Sequence, residues 1–328
     1  MEINDEKIEK ILRIKYEIYV SNINKLDIGF DHNTSVYKIC SKDGKEFFLK
    51  IRSKMFNEAS LLVPLLISDC LDTKNVINVI KTTKEELYVK ESMSYFILYP
   101  FINGQSGWNK SLTNDQFIKF GKFMYNLHSL ELPNEYKKLL PIENYNSKYR
   151  DSLKKYLKNI NKEISENKII NDFINSLFEK SEIIIEIINA SEEIIGNERN
   201  NSKKMCVCHG DIHAGNLLLT EKEFFIIDWD TISLSPIEKD LMFIGGGICN
   251  KWNKDEEIEY FYRGYGKNVD INRKLLKYYR HERIIQDIYE FYHQIINRNT
   301  NDEERKLCIK NFCEQFEPKN VVDMALRT

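Results

Sequence analysis

The first hundred residues alternate between apolar and polar positions in short runs that are typical of β-strands. The Asp43-Gly44 pair between two of these runs is a strong signal for a hairpin. Residues 57–69 have the length and apolar content of a helix, and Pro64 within them predicts a kink or a late start. The runs predicted as strands are residues 36–40, 45–51, 86–89 and 94–101.

Beyond about residue 103 the apolar period lengthens to that of helices. Phe117, Phe120 and Leu127 recur at helical spacing within residues 113–130, and Thr113 or Asn114 is the expected N-cap. Further helical patterns cover residues 147–160, 168–196 and 238 to the end, and short strand-like runs occur at 205–208, 217–219 and 224–227. We therefore predict an α+β protein with a small β-rich N-terminal lobe, residues 1–102, and a larger, mainly helical C-terminal lobe, residues 103–328.

The composition narrows the class of protein. The 328 residues carry 48 Lys and Arg against 50 Asp and Glu, and this balance argues against a nucleic-acid partner, which needs a concentrated positive field. The seven cysteines are an odd number spread over a long chain, unlike a disulfide framework. The first residues are charged and contain no apolar run of the kind expected in a signal peptide, and no apolar run approaches the roughly 20 residues that span a bilayer. We expect a cytoplasmic protein without a membrane partner, and monomer and dimer both remain open.

The candidate chemistry lies between residues 208 and 230. Phosphoryl transfer from ATP requires a carboxylate that orients the attacking hydroxyl and oxygen ligands that hold Mg²⁺ on the phosphates. Asp211, then Asn216 five residues later, then Asp228 after an apolar run supply one base and two metal ligands. Their order and separation match the catalytic loop and the second metal-binding Asp of kinases.

The segment from His209 to Asn216, with Asp228-Trp229-Asp230 after it, resembles the aminoglycoside phosphotransferase and choline kinase family. This resemblance implies a two-lobed, protein-kinase-like fold that uses ATP and Mg²⁺. It implies that Asp211 is the catalytic base, that Asn216 and Asp228 bind magnesium, and that Asp240 is a structural acid that braces the catalytic loop.

The resemblance extends to the N-terminal lobe. Lys50 resembles the strand lysine that holds the α- and β-phosphates, and Glu58 on the following helix is its expected ion-pair partner. The hinge that holds adenine corresponds to Pro100, Phe101 and Ile102. The glycine-rich phosphate loop of the family is absent. The stretch from Ile28 to Tyr37 takes its place, and the expected phosphate contacts are Asn33, Thr34 and Ser35.

Several residues near the motif allow a second interpretation. A zinc site is conceivable for Cys206, Cys208, His209, Asp211 and His213, but Cys-x-Cys has the wrong spacing and no second pair answers it. We therefore expect His209 and His213 to shape the loop. The glycines at 245–247 follow a helical run, so we expect helix termination and close packing there and not nucleotide binding.

Within the family, residues 228–230, 238–247 and 250–253 are similar to the branch that phosphorylates spectinomycin. Such an acceptor is a cationic aminocyclitol, so its pocket should contain carboxylates and aromatic faces. Asp230 is the first candidate, followed by Asp287 and Glu290, whereas the acidic run 255–259 is better explained as a solvated helix face.

We therefore expect an ATP- and Mg²⁺-dependent kinase that phosphorylates a hydroxyl of spectinomycin and so confers resistance. Two alternatives remain open. One is a metabolic kinase for choline, methylthioribose, homoserine or another aminoglycoside. The other is a non-catalytic nucleotide-binding regulator with a decayed site.

Overall fold

The computed structural model describes residues 4–26, 33–159, 165–199, 201, 203–246, 251–267, 269–296 and 300–328. These residues form a mixed α+β structure, as predicted. The chain divides into two units that are each compact. Unit 1 comprises Met1–Leu112, Leu132–Leu140 and Gly215–Ile232, and unit 2 comprises Thr113–Glu131, Pro141–Ala214 and Ser233–Thr328. The lobe boundary near residue 103 stays a prediction.

Helices and strands are interspersed along the chain. The first half contains α1 (Asp5–Tyr16), β1 (Val20–Leu26), β2 (Thr34–Ser41), β3 (Glu46–Arg52), α2 (Ala59–Cys70), β4 (Val89–Glu91), β5 (Ser94–Pro100), β6 (Gln105–Ser106), α3 (Asn114–Ser129), α4 (Asn134–Lys137) and α5 (Lys148–Asn159). The second half contains α6 (Lys168–Glu179), α7 (Ser181–Glu198), β7 (Cys206–Cys208), β8 (Leu217–Leu219), β9 (Phe224–Ile226), β10 (Ser233–Ser235), α8 (Glu238–Leu241), α9 (Asp255–Tyr265), α10 (Arg273–Ile296), α11 (Asp302–Glu314) and α12 (Val321–Leu326). Within the described ranges, no helix is both long and apolar enough to cross a bilayer.

Unit 1 is built on a five-stranded antiparallel sheet in the order β1-β2-β3-β5-β4. Alternation along β3 buries Phe47, Leu49 and Ile51 in a core that also contains Ile8 and Leu12 of α1. Successive side chains of a strand point to opposite faces. Lys50 and Arg52 therefore lie together on the face of β3 that is opposite to this core.

A second sheet of unit 1 carries the predicted magnesium ligands. Its order is β6-β8-β9, with Leu217 opposite Ile226. Asn216 immediately precedes β8, and Asp228 lies just beyond β9. This hairpin therefore brings two residues that are twelve positions apart in the sequence to the same end of one antiparallel pair.

Unit 2 is mainly helical. Its core contains Phe173, Leu177, Ile184, Ile188 and Phe312. These residues come from α6, α7 and α11, and α10 supplies further side chains to the same core. The strands β7 and β10 pair antiparallel, and they position the loop that follows Cys208.

The predicted elements agree with the structure in most places, and the differences have local causes. Of the two expected N-caps, Thr113 and Asn114, the structure has Thr113, which forms a reciprocal capping box with Gln116. The predicted helix at 168–196 is two helices, because Lys180 adopts φ −95° and ψ 0° between α6 and α7. Pro64 lies inside α2, and helix α1 was not predicted at all. Strand β10 was also missed, since its Ser-Leu-Ser sequence has little strand signal of its own.

Candidate active site

Lys50 and Arg52 of unit 1 face two carboxylates. The Lys50 Nζ lies 3.2 Å from Asp228 Oδ1 and 3.2 Å from Asp230 Oδ2. Arg52 Nη1 lies 2.7 Å from Asp230 Oδ1. Two cations and two carboxylates thus form one charge cluster, and the cations come from alternate residues of β3.

The cluster favours the charged forms of Lys50 and Asp230, whereas burial and the neighbouring Asp230 carboxylate raise the pKa of Asp228. Burial by itself would lower the pKa of Lys50, but Asp228 and Asp230 outweigh burial and raise it. Burial would raise the pKa of Asp230, but Lys50 and Arg52 hold it below its ordinary value. Lys50 is therefore a cation throughout the physiological pH range, which is the state needed to bind phosphate oxygens.

Asn216 and Asp228 supply two side-chain oxygens, suitable as metal ligands, from adjacent backbone segments. The Ile227 N–H donates to the Asn216 carbonyl oxygen at 3.0 Å, which ties the two segments together. Asp228 has φ 61° and ψ 64°, a left-handed conformation that is uncommon for a residue with a Cβ and often marks functional sites. Amide and carboxylate oxygens are the ligands that Mg²⁺ prefers, and the carboxylate of Asp228 already faces a cation, the Lys50 ammonium. The donor set therefore suits magnesium.

In unit 2, a buried carboxylate holds the loop that carries Asp211. The backbone N–H groups of His209 and Gly210 donate to Asp240 Oδ2 and Oδ1 at 2.8 and 2.7 Å. His128 Nε2 lies 3.0 Å from the same carboxylate, and His128 Nδ1 lies 2.7 Å from the Tyr265 hydroxyl. Asp240 is only 1% exposed. Its carboxylate fixes two consecutive peptide groups immediately before Asp211.

The carboxylate of Asp211 lies between a cation and an imidazole. Arg283 Nη1 donates to Asp211 Oδ1, and His213 Nε2 lies 3.6 Å from Asp211 Oδ2. Burial by itself would raise the pKa of Asp211, but Arg283 and the two histidines of its own loop hold it below the ordinary value. Burial lowers the pKa of His213 to about 4. At neutral pH the loop therefore carries an ionised Asp211 beside an uncharged His213.

The three residues predicted to bind the phosphate acceptor differ in burial and in their partners. Asp230 belongs to unit 1 and is paired with Lys50 and Arg52. Asp287 is buried, accepts from Arg283 Nε at 2.8 Å and from Gln315 Nε2 at 3.2 Å, and burial raises its pKa to about 6. Glu290 is exposed and accepts from Gln286 Nε2 at 2.9 Å. Asp287 is therefore the hydrogen-bond partner of Arg283, while Glu290 on the same helix presents its carboxylate to solvent.

The structure does not join Lys50 and Glu58 as an ion pair. Glu58 is the residue before α2 and accepts a hydrogen bond from the Tyr88 hydroxyl, while Lys50 is engaged by Asp228 and Asp230.

The predicted phosphate contacts lie at the start of β2. Thr34 and Ser35 pair with Arg52 and Ile51, and the Asn33 carbonyl accepts from the Ser53 N–H at 2.9 Å. The preceding residues of the predicted phosphate loop, 28–32, lie outside the described residues.

The predicted hinge follows the end of β5. Pro100 is the last residue of that strand. The Phe101 N–H donates to the Glu46 carbonyl at 3.2 Å, and the Ile102 carbonyl accepts from the Gly104 N–H at 2.9 Å. These bonds fix the backbone of the segment within unit 1.

Cys206 and Cys208 adjoin His128 in the interior of unit 2, with one ligand atom of each within 4.8 Å of the others. The thiols are 3.6 Å apart and donate to the carbonyl oxygens of Ser235 and Pro236. Because His128 also contacts Asp240 and Tyr265, the polar atoms of this cluster are engaged within the fold.

Sequence reasoning missed Arg52, Arg283 and His128. Arg52 carried a signal, because it lies two residues from Lys50 and must share its face of the strand. The ion pair of Arg283 with Asp287 could have been predicted, because the two residues are four positions apart on one helix, a spacing that pairs opposite charges. The contact of Arg283 with Asp211, 72 residues away, had no such signal.

Comparison with solved structures finds proteins that are similar over nearly the whole chain. A crystal structure of the spectinomycin phosphotransferase APH(9)-Ia in complex with ADP and spectinomycin is 33% identical, covers 99% of this chain and 98% of its own, and has a TM-score of 0.91. The AMP-bound complex of the same enzyme is 32% identical, with coverage of 100% and 99% and a TM-score of 0.88. The choline kinase LicA from Streptococcus pneumoniae shares the fold, at 14% identity, coverage of 94% and 99%, and a TM-score of 0.58. Among curated proteins no match was found.

The fold is that of a kinase-like phosphotransferase, which confirms the fold class expected from the sequence. The model of the phosphotransferase enzyme family, APH, matches residues 33–275. The chain belongs to this family, so the resemblance based on the segment 209–216 is confirmed. It is a phosphotransferase that acts on an alcohol group.

Proposed function

We propose that this protein is an ATP- and Mg²⁺-dependent kinase that phosphorylates a hydroxyl of spectinomycin and thereby confers resistance. The observation that carries the proposal is the match, over 99% of the chain at 33% identity, to an enzyme whose structure contains ADP and spectinomycin. The charge clusters around Lys50 and Asp211 support it, because they supply the cation and the carboxylate that phosphoryl transfer requires. A cytoplasmic location is part of this proposal.

The proposed mechanism assigns each residue one task. Asp211 accepts a hydrogen bond from the acceptor hydroxyl and takes its proton as the hydroxyl oxygen attacks the γ-phosphorus. The bond from that phosphorus to the β-phosphate bridging oxygen breaks, and ADP leaves with the electron pair. Lys50 binds the phosphates. Asn216 and Asp228 would hold Mg²⁺, which neutralises phosphate charge when bound.

The remaining site residues follow the same proposal. The nucleotide contacts are Asn33, Thr34, Ser35, Pro100, Phe101 and Ile102, and the acceptor contacts are Asp230 and Glu290. Asp287 is the buried partner of Arg283 and does not contact the acceptor directly. Asp240, His209 and His213 shape the catalytic loop, in keeping with the bonds from two backbone N–H groups to Asp240. Glu290 is exposed and so accessible to an ammonium group of the acceptor, and the attraction between the two charges would strengthen as the bound acceptor excludes water from the pair.

The test is phosphate transfer from labelled ATP with Mg²⁺ to spectinomycin, kanamycin, choline and methylthioribose, each offered separately. We expect labelling of spectinomycin and a loss of about 10²–10⁴-fold in kcat for Asp211→Ala, the contribution typical of a general base. Labelling of another compound would move the protein to a metabolic or different antibiotic kinase. Binding of ATP without transfer to any acceptor would favour a regulatory role.

Lys50→Ala supplies the control on the nucleotide side. We expect it to raise the KM for ATP or lower kcat, since the phosphates lose their cation. Unchanged values of both constants would remove Lys50 from the proposed site.

A further inference from the structure

Arg283 lies between two carboxylates in the interior of unit 2. Its Nη1 donates to Asp211 and its Nε donates to Asp287 Oδ1 at 2.8 Å. The side chain is 14% exposed, and its guanidinium lies 5.6 Å from the centre of the Phe243 ring. A guanidinium is planar and rigid, so two hydrogen bonds from different nitrogens fix its orientation as well as its position.

Asp287 is itself held from the other side. Its Oδ2 accepts from Gln315 Nε2 at 3.2 Å, and its side chain is 8% exposed. The order Gln315, Asp287, Arg283, Asp211 is therefore a continuous chain of hydrogen bonds that starts at the end of α11, crosses one turn of α10 and ends at the loop after β7. Asp211 thus receives a fixed donor from a helix remote in sequence, while Asp240 holds the backbone N–H groups of the two residues before it.

We propose that Arg283 is a positioning residue that orients the carboxylate of Asp211 toward the acceptor hydroxyl, and that Asp287 and Gln315 hold Arg283 for this task. The inference rests on the proposed role of Asp211 as base. Arg283 Nη1 donates to Oδ1 of this carboxylate, and His213 Nε2 lies 3.6 Å from Oδ2, so groups from a helix and from the loop face its two oxygens.

The charges that face Asp211 within unit 2 make the proposal measurable. Arg283 faces it from α10, and His209 and His213 face it from its own loop. Asp287 and Glu290 act on Arg283 from α10, and Tyr149 of α5 lies within electrostatic range. Loss of the Arg283 charge should raise the pKa of Asp211, whereas loss of the Asp287 charge should leave that pKa unchanged or lower it.

The experiment compares the pH profiles of kcat/KM for the acceptor in the wild type, Arg283→Met, Arg283→Lys and Asp287→Asn. Arg273→Met is the matched control, because Arg273 is an exposed arginine at the start of the same helix. Ionisations of the acceptor are common to all five proteins, so differences between profiles report on the enzyme.

For Arg283→Met we expect kcat to fall about 10–100-fold, part of the full contribution of a general base, with the KM for ATP unchanged. The acid limb should move to higher pH in Arg283→Met, stay closer to that of the wild type in Arg283→Lys, and stay or move to lower pH in Asp287→Asn. A merely structural role would not separate the limbs in this way. Thermal unfolding of each variant identifies any that fails to fold, and the lysine variant then carries the comparison.

Two results would overturn different claims. If Asp211→Ala is inactive but the Arg283 variants keep the wild-type kcat and acid limb, the positioning role is wrong and the proposed function stands. If Asp211→Ala keeps its activity, the assignment of the base fails first.

Discussion

The buried carboxylate of Asp240 offers a sharp test of how the catalytic loop is held. Both of its oxygens accept from backbone N–H groups, at 2.8 Å from His209 and 2.7 Å from Gly210, and His128 provides a third contact at 3.0 Å. The substitution Asp240→Asn keeps the shape but replaces one acceptor oxygen by an NH₂ group. One backbone N–H then faces a donor and loses its partner.

The expected cost follows from these contacts. Hydrogen bonds to charged groups contribute about 1.5–3 kcal/mol each, and an unsatisfied buried donor costs about 1–3 kcal/mol. One bond is lost outright and the second becomes neutral, so we expect unit 2 to be destabilised by about 2–4 kcal/mol. At about 2–4 °C per kcal/mol for a unit of this size, Tm should fall by roughly 4–16 °C.

The assay is thermal unfolding by circular dichroism with kcat measured in parallel. His128→Gln is the comparison, because it removes a side-chain partner of Asp240 but leaves both backbone bonds, and it should lower kcat less than Asp240→Asn does. Burial alone would raise the pKa of Asp240, but its hydrogen bonds and the neighbouring histidines lower it. The stability it contributes is therefore present above its ordinary pKa and lost as the pH falls through the lowered value. A Tm of Asp240→Asn within about 1 °C of the wild type would refute this reasoning.

Two further predictions concern unit 2. Burial raises the pKa of Asp287 to about 6, so the folded state holds this proton more tightly than the unfolded state does. The free energy of unfolding of the wild type should therefore fall, relative to that of Asp287→Asn, as the pH rises from about 4 to 7. Urea unfolding at both pH values measures this difference, and an equal pH dependence of the two proteins would contradict it. A Cβ on Gly246 would lie 2.5 Å from Arg280 Nε, whose guanidinium donates to the carbonyls of Met242 and Ile244, so Gly246→Ala should cost about 1–3 kcal/mol through overpacking. Gly196→Ala is its control, because that position in α7 is open and alanine should add about 0.5–1 kcal/mol of helix stability, and similar changes in Tm for both would contradict the packing argument.

The glycines at 245–247 show how far a local signal reaches. The sequence indicated helix termination and close packing, and the structure gives Gly245 φ +74° and places Gly246 against Arg280. Gly247 lies outside the described residues. The conformational freedom of glycine predicts the turn, but the arginine that packs on it comes from α10, and no local pattern specifies it.

The N-terminal charge cluster shows the same division. Strand alternation predicts that Lys50 lies on the face of its strand opposite to the core, and the catalytic motif predicts that Asp228 follows a strand. Their ion pair joins residues 178 positions apart, whereas the expected partner of Lys50, Glu58, accepts a hydrogen bond from Tyr88. Which of several carboxylates reaches a lysine depends on sheet order and hairpin register, and these are properties of the packed unit.

The sequence by itself determined what local chemistry and periodicity encode: the strands around Lys50, the capped helix after Thr113, and the order Asp211, Asn216, Asp228 that identifies the family. These features depend on neighbouring residues, so they are legible along the chain. The tertiary structure alone decided which side chains meet: Arg283 on Asp211, Asp240 on two backbone N–H groups, Arg52 on Asp230. A buried charged group is costly unless it is paired, and only the folded unit brings its partner within hydrogen-bonding distance.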